Sequence, residues 1–297
     1  MSVLEGEVRR ASITANGVKL HYVTQGEGSL MLMLHGFPEF WYSWRHQIPE
    51  FAKDYQVVAL DLRGYNDSEK PEGVAAYGMG ELLKDVEGVI RGLGYESCVL
   101  VGHDWGGAIA WNFAYTHPEM VDRLIVMNIP HPAKFGEGFS TPQQLQRSWY
   151  FFFFQLPWLP ELLLQWNDYE AITSAFTEMA VDKTAFSYAD LETYKDAAAK
   201  RGALTAMLNY YRNAFSEIRN LTQQKWGVLH IPTLMIWGEN DAALGKELTY
   251  GTEAYVSDLQ IKYIPNCSHW VQQEQPELVN RYMREFLESN TTGLGVM

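Results

Sequence analysis

The stretch Cys98-Val99-Leu100-Val101-Gly102-His103-Asp104-Trp105-Gly106-Gly107-Ala108-Ile109-Ala110-Trp111-Asn112-Phe113-Ala114 decides how this chain is read. Its first four residues are apolar, as a buried strand requires, and its last seven form a helix-like run. Between them the spacing Gly-x-Asp-x-Gly-Gly marks a tight strand-to-helix turn, with glycine where backbones crowd too closely for a Cβ. A turn of this kind presents a nucleophile, usually serine. Here the residue is Asp104. A carboxylate in that place can open a strained or polarised carbon–oxygen or carbon–halogen bond and leave an ester on the chain. The same stretch also fits a buried Asp that caps the helix, since Asp is a favoured N-cap residue.

Working outward, other apolar runs have the character of strands buried on both faces. Residues 30–34 lead into His35-Gly36-Phe37-Pro38, and residues 57–60 into Asp61-Leu62-Arg63-Gly64. Residues 123–127, 232–237 and 259–264 are further runs of this kind. Residues 8–25 read as two strands joined at Asn16-Gly17, a strong hairpin signal. Helical spacing is expected over 41–52, 80–93 and 276–287. Strands alternating with helices imply a mostly parallel central sheet flanked by helices. The rhythm breaks between residues 131 and 231, where Phe, Trp, Tyr and Leu recur at helical spacing with no buried strand run. We read residues 1–130 and 232–297 as the core and 131–231 as an inserted helical cap over it. The last residues, 291–297, are expected to fray.

Composition narrows the function. The formal charge of −13 over 297 residues argues against nucleic acid and against anionic membrane surfaces. Ten Trp, 17 Tyr and 14 Phe exceed what a core needs, so some are expected to line a cavity. Cys98 falls in a strand pattern, and Cys267 beside a single histidine makes no metal site. The acidic N-terminal residues show no apolar leader, and no run is long and apolar enough to span a membrane. A cytoplasmic protein, monomer or homodimer, is the expectation.

Two residues complete a constellation with Asp104. Asp241 follows the strand run ending at Trp237, and His269 follows the last strand. Either alone reads as an ordinary loop acid or a hydrogen-bonded structural histidine. Together they give nucleophile, acid and histidine in the chain order of an α/β-hydrolase, each near the carboxyl end of a strand, where ligands bind. Asp104 is ionised near neutral pH and needs no base to activate it. His269 is then free to deprotonate water in a second step, oriented by Asp241. The N–H groups of Trp105 and Phe37 are the expected oxyanion donors.

The motifs His35-Gly36-Phe37-Pro38-Glu39-Phe40-Trp41-Tyr42-Ser43-Trp44-Arg45, Asp61-Leu62-Arg63-Gly64-Tyr65 with Ser68, and Gly102-His103-Asp104-Trp105-Gly106-Gly107 resemble those of the soluble-type epoxide hydrolases of the α/β-hydrolase fold. The likeness covers nearly the whole chain and is weakest in the cap. It implies hydrolysis of a hydrophobic epoxide to a diol, with water as co-substrate and no metal or organic cofactor. It also implies two cap tyrosines that donate to the epoxide oxygen: Tyr211, within Asn209-Tyr210-Tyr211-Arg212-Asn213, and Tyr150, with Trp149 and Tyr188 as neighbours that leave the second assignment open. His35, Pro38, Phe151, Phe154 and Trp270 are expected to line the pocket. A cis Phe37–Pro38 bond is expected as well. Asn66 departs from the family pattern, which often has glycine there, and is expected to shape a turn. A haloalkane or haloacetate dehalogenase shares the Asp nucleophile. The first usually has Asn in place of Phe37, however, and the second Arg in place of Trp105. A non-catalytic small-ligand-binding protein on this fold is the third reading.

Overall fold

The structure is a computed structural model. It describes residues 8–289, with the side chains of 216–223 outside the description. The expectations for the N-terminal residues 1–7 and for the tail at 291–297 lie outside the described residues.

The chain begins with the hairpin: β1 (Arg9–Ala15) and β2 (Val18–Gln25) pair antiparallel across Asn16 and Gly17. Both turn residues take positive φ, 48° and 73°. That is the two-residue turn whose twist matches the strands, and Asn and Gly are the residues that tolerate it. The apolar runs follow as β3 (Ser29–Leu34), β4 (Tyr55–Leu60), β5 (Cys98–His103), β6 (Val121–Met127), β7 (Thr233–Gly238) and β8 (Leu259–Ile264). They form one sheet in the order β1-β2-β4-β3-β5-β6-β7-β8. β2 runs antiparallel to β4, and every pairing from β4 to β8 is parallel. Met31, Leu32, Leu100 and Ile125 in its middle are fully buried, as strands covered on both faces require.

Helices α1 (Ile48–Phe51), α2 (Met79–Gly92) and α3 (Trp105–Thr116) link the first strands, and α10 (Val271–Glu274) and α11 (Pro276–Ser289) close the chain. The expected helix over 41–52 is two pieces. Trp41–Trp44 is a 3-10 turn, and the α-helical turn starts only at Ile48. Pro49 explains the break: it lacks an N–H and is tolerated only in a helix's first turn. Asn66 takes the left-handed conformation, φ 40°, and its amide donates to Asp61 at 2.8 Å. Asn thus fills a place that glycine would fill without strain.

Between β6 and β7 the described residues form helices, with one isolated bridge from Leu229 to Val256: α4 (Pro132–Gly138), α5 (Pro142–Arg147), α6 (Trp149–Phe153), α7 (Leu159–Met179), α8 (Tyr188–Ala199) and α9 (Ala203–Gln223). α7 is interrupted at Trp166–Tyr169, where three consecutive residues have positive φ. This insert is pinned to the sheet side by polar contacts. The Tyr210 hydroxyl donates to the Arg63 carbonyl at 2.8 Å, and the Tyr42 hydroxyl to Asp190 at 2.9 Å. Within the insert, the Arg212 guanidinium donates to both oxygens of Glu161, at 2.8 and 3.0 Å, and to the Phe154 and Leu156 carbonyls. That fork ties α9 to the chain after α6 and fixes Tyr211 beside Tyr150. No described helix is long and apolar enough to cross a membrane.

Candidate active site

The turn between β5 and α3 carries Asp104 at φ 48°, ψ −119°. A non-glycine residue there is strained, and such strain is held only where the surroundings over-determine it. Gly106 is one cause: a Cβ on it would run into the Leu34 carbonyl. Gly36 is another, since its Cβ would overlap the Asp104 side chain. The strained backbone turns the carboxylate away from α3, so it makes no capping bond, and the helix-cap reading does not hold. Instead Oδ1 accepts the Phe37 N–H at 2.8 Å. Trp105 is the first residue of α3, and its N–H is among the donors that a helix start leaves unpaired. The Phe37–Pro38 bond is cis.

Three strand ends bring the remaining groups together. His269 Nε2 lies 3.6 Å from Asp104 Oδ2, and His269 Nδ1 lies 2.7 Å from Asp241 Oδ2. Asp241 is itself immobilised. Its Oδ1 accepts the Ala243 and Leu244 N–H groups at 2.8 and 2.9 Å, and its Oδ2 also accepts the Asn128 amide at 2.7 Å. Asn128 directly follows β6 with positive φ, is fully buried, and accepts the Gly238 N–H at 3.0 Å. Sequence reasoning missed it. The available signal was a polar residue directly after an apolar strand run.

Glu39 and His103 lie in two of the sequence motifs and join them in space. Both are fully buried. Glu39 accepts the Gly36 N–H at 2.9 Å and the Gln272 and Gln273 amides at 3.0 and 2.8 Å, and it faces His103 Nδ1 at 2.8 Å. His103 Nε2 faces the His269 carbonyl at 2.8 Å. One carboxylate therefore fixes the loop that holds Phe37, the residue before Asp104 and the segment after His269. Burial works against the Glu39 charge, but the His103 ring and the Gly36 N–H outweigh it and hold the carboxyl below its ordinary range.

The same balance governs Asp104 and His269. Burial opposes the charge on Asp104, yet His269, His103 and the Phe37 N–H overcome it and lower its pKa. Burial likewise opposes a charged His269, but Asp241 and Asp104 on its two sides raise its pKa well above the ordinary value. The carboxylates on its two sides thus favour the charged form of the His269 ring.

The insert faces these groups with two phenols. Tyr211 is buried, with its ring 5.1 Å from Trp105, 5.3 Å from Phe37 and 5.8 Å from Tyr150. Burial first, then the Asp104 charge, push both tyrosine pKa values up, so both hydroxyls remain donors. Of the neighbours that left the second hydroxyl open, Trp149 is 63% and Tyr188 78% exposed. Tyr150, unlike Tyr188, lines the space around Asp104.

Two cavities of about 490 and 500 Å³ share Asp104, Tyr150 and Tyr211. Phe151 lines the first; Pro38, Phe154 and Trp270 line the second. Phe152 points to solvent, consistent with four consecutive rings around a helix. His35 does not line either cavity. Its Nδ1 bonds the Gly36 carbonyl at 2.9 Å and its Nε2 accepts the Leu62 N–H at 3.0 Å, so the ring is a fully used strut between two strand-end loops.

A model of the alpha/beta hydrolase fold family matches residues 29–276. The chain is 44% identical over 283 residues to epoxide hydrolase 3 of Xenopus tropicalis, covering 93% of this chain and 76% of that protein. It is 43% identical over 287 residues to human epoxide hydrolase 4, covering 94% and 78%. Among solved structures it superposes with a TM-score of 0.88 at 40% identity on a mutant epoxide hydrolase from Bacillus megaterium complexed with its product (R)-3-[1]naphthyloxy-propane-1,2-diol. That match covers 93% of this chain and 99% of the other. Fold, family match and relatives agree, and the chain belongs to the epoxide hydrolases of the alpha/beta hydrolase fold.

Proposed function

We propose that this enzyme opens a hydrophobic epoxide through a covalent ester on Asp104, beneath a cap formed by residues 131–231. The observation that carries this reading is the Asp104 carboxylate itself. One oxygen is held by the Phe37 N–H and the other faces His269, in a buried space with two phenols opposite. In the first step an Asp104 oxygen attacks a ring carbon. The ring C–O bond breaks, its electron pair stays on the epoxide oxygen, and Tyr150 or Tyr211 gives that oxygen a proton. The ester removes one of the two negative charges beside His269, so the imidazolium proton is released and, in net terms, returns to the phenolate.

Neutral His269 then takes a proton from water as its oxygen adds to the ester carbonyl. The oxyanion sits at the Phe37 and Trp105 N–H groups. Collapse breaks the acyl–oxygen bond, and the leaving alkoxide takes the second water proton from the added oxygen, giving the diol, which keeps the Asp104 oxygen. Asp104 ends ionised and His269 protonated, as at the start. A hydrophobic substrate fits walls dominated by aromatic and aliphatic side chains, and the naphthyloxy diol in the Bacillus megaterium relative is a product of that kind.

Phenylalanine substitution tests the roof. Tyr150→Phe and Tyr211→Phe are each expected to lower kcat by about 10–100-fold, and the double variant by more than ~10³-fold, the scale of general acid catalysis. Steady-state hydrolysis of styrene oxide measures it. An unchanged double variant contradicts the roles of both hydroxyls.

The pH dependence follows from the directions above. Alkylation needs ionised Asp104, whose pKa is lowered, so it persists into mild acid. Ester hydrolysis needs neutral His269. With Asp104 esterified, Asp241 still favours the protonated ring, so this step slows as pH falls. Rapid-quench samples at pH 5 are expected to hold more covalent adduct than samples at pH 8. The reverse order contradicts the assignment of His269 as the base.

A further inference from the structure

The segment that carries His269 is held from two sides. On the core side the Cys267 carbonyl accepts the Asn240 N–H at 2.9 Å, and the Gln272 carbonyl accepts the Gln47 amide at 3.1 Å. On the other side the inserted helices bond it at three places. The Trp270 indole N–H donates to the Ala175 carbonyl of α7 at 3.2 Å. The Tyr194 hydroxyl of α8 donates to Gln273 Oε1 at 2.6 Å. Glu274 Oε2 accepts the Val181 and Asp182 N–H groups, between α7 and α8, at 2.7 and 2.9 Å.

Two neighbours on α10 pass these contacts inward. Glu274 is 5% exposed, and its other oxygen, Oε1, accepts the Ser268 N–H at 2.9 Å and the Ser268 hydroxyl. One buried carboxylate thus joins two insert amides to the residue directly before His269, through charge-assisted bonds. Gln273 Oε1 faces a second donor, Arg45 Nη1, at 2.5 Å, which leaves its amide nitrogen to donate to Glu39 Oε1 at 2.8 Å. Arg45 in turn lies 3.4 Å from Asp190, in the capping box of α8. The Asp104 turn is held differently, by the Phe37 N–H and its own strained backbone. Tyr150 and Tyr211 sit on other helices of the insert, α6 and α9.

We propose that Glu274 and Tyr194 are positioning residues for ester hydrolysis: through α10 the inserted helices hold His269 where the attacking water needs it. This rests on the reading that His269 activates water against an ester on Asp104. Hydrolysis, and not ring opening, is then the step that depends on how α7 and α8 are seated.

Single turnovers of styrene oxide with enzyme in excess, stopped by rapid quench, follow the rise and decay of the covalent adduct. Glu274→Gln keeps the side-chain shape, but its amide accepts on one side only, so either Ser268 or the insert loses its partner. Adduct decay is expected to slow by about 10–100-fold, the scale of a group misplaced by about 1 Å, with adduct formation within about threefold of wild type. Tyr194→Phe is expected to slow decay by about three- to tenfold, the scale of one net hydrogen bond. In steady state kcat and KM are expected to fall together in both variants, because hydrolysis becomes the slower step. A merely loosened insert does the opposite: it slows adduct formation and raises KM, since Tyr150 and Tyr211 ride on it. Tyr115→Phe is the control. It removes a hydroxyl that contacts the Gly227 and Tyr255 carbonyls at 3.1 and 3.0 Å, where the insert returns to the core, and is expected to leave the ratio of the two rates unchanged. Thermal unfolding checks each variant; should Glu274→Gln not fold, Tyr194→Phe decides. Unchanged decay in the folded variants, formation slowed as much as decay, or an equal shift in Tyr115→Phe overturns the proposal and leaves the Asp104 reading standing. A wild-type enzyme that forms no adduct overturns the Asp104 reading first.

Discussion

Asp104→Ala is expected to abolish diol formation, lowering kcat by about 10⁴–10⁶-fold, the range seen when a covalent nucleophile is removed. The size follows from the two-step scheme. With the carboxylate gone there is no ester for water to attack, and the Phe37 N–H and His269 face an empty space rather than an acyl group. The remaining groups can still bind an epoxide and polarise its oxygen, so a small residual rate is allowed. Asp104 already bears the strained backbone at φ 48°, which alanine must also adopt, so near-ultraviolet circular dichroism and thermal unfolding must show a folded protein before the rate is interpreted. A folded variant that turns over styrene oxide within tenfold of wild type would mean that water, and not Asp104, attacks the ring.

The second large effect separates the two steps. His269→Gln is expected to keep alkylation and to lose hydrolysis by about 10³–10⁴-fold, the upper range of general base catalysis. Glutamine supplies no base for the attacking water. It also removes the group that Asp104 faces at 3.6 Å and that Asp241 orients at 2.7 Å. Mixing this variant with styrene oxide should release less than one equivalent of diol. The intact mass should rise by the mass of one epoxide per chain, and digestion should place that mass on the peptide containing Asp104. Steady turnover, or an adduct on another residue, contradicts the division of labour between Asp104 and His269.

How much of this was legible in the sequence depended on whether a residue's partners were near it in the chain. The hairpin at Asn16-Gly17 was legible because two residues determine the turn. The buried strands were legible as apolar runs, since a strand covered on both faces cannot carry polar side chains there. The elbow was legible because Gly102 and Gly106 flank Asp104 at a fixed spacing that close backbone approach requires. Asp241 and His269 could be picked out by their order at successive strand ends, although each alone is an ordinary residue. The comparisons bear out the fold and the family.

What escaped the reading is long-range. Glu39 looks like one more acid in a turn until Gly36, His103, Gln272 and Gln273 converge on it from three parts of the chain. Asn128 matters because β7 and the Asp241 loop both dock on it. His35 sits at a strand end, where ligands usually bind, but its ring is consumed by two backbone groups and turned from the cavity. The 41–52 segment has helical periodicity over two pieces that Pro49 forbids from joining. In each case the local pattern is correct and a contact from elsewhere in the fold decides the outcome.

A single turnover in 18O-water, with enzyme in excess over epoxide, tests the ester on Asp104 most directly. The proposed mechanism predicts a diol free of label, since its new oxygen comes from the Asp104 carboxylate, and label recovered in the peptide that carries Asp104. A diol fully labelled in that first turnover, with an unlabelled Asp104, would contradict it.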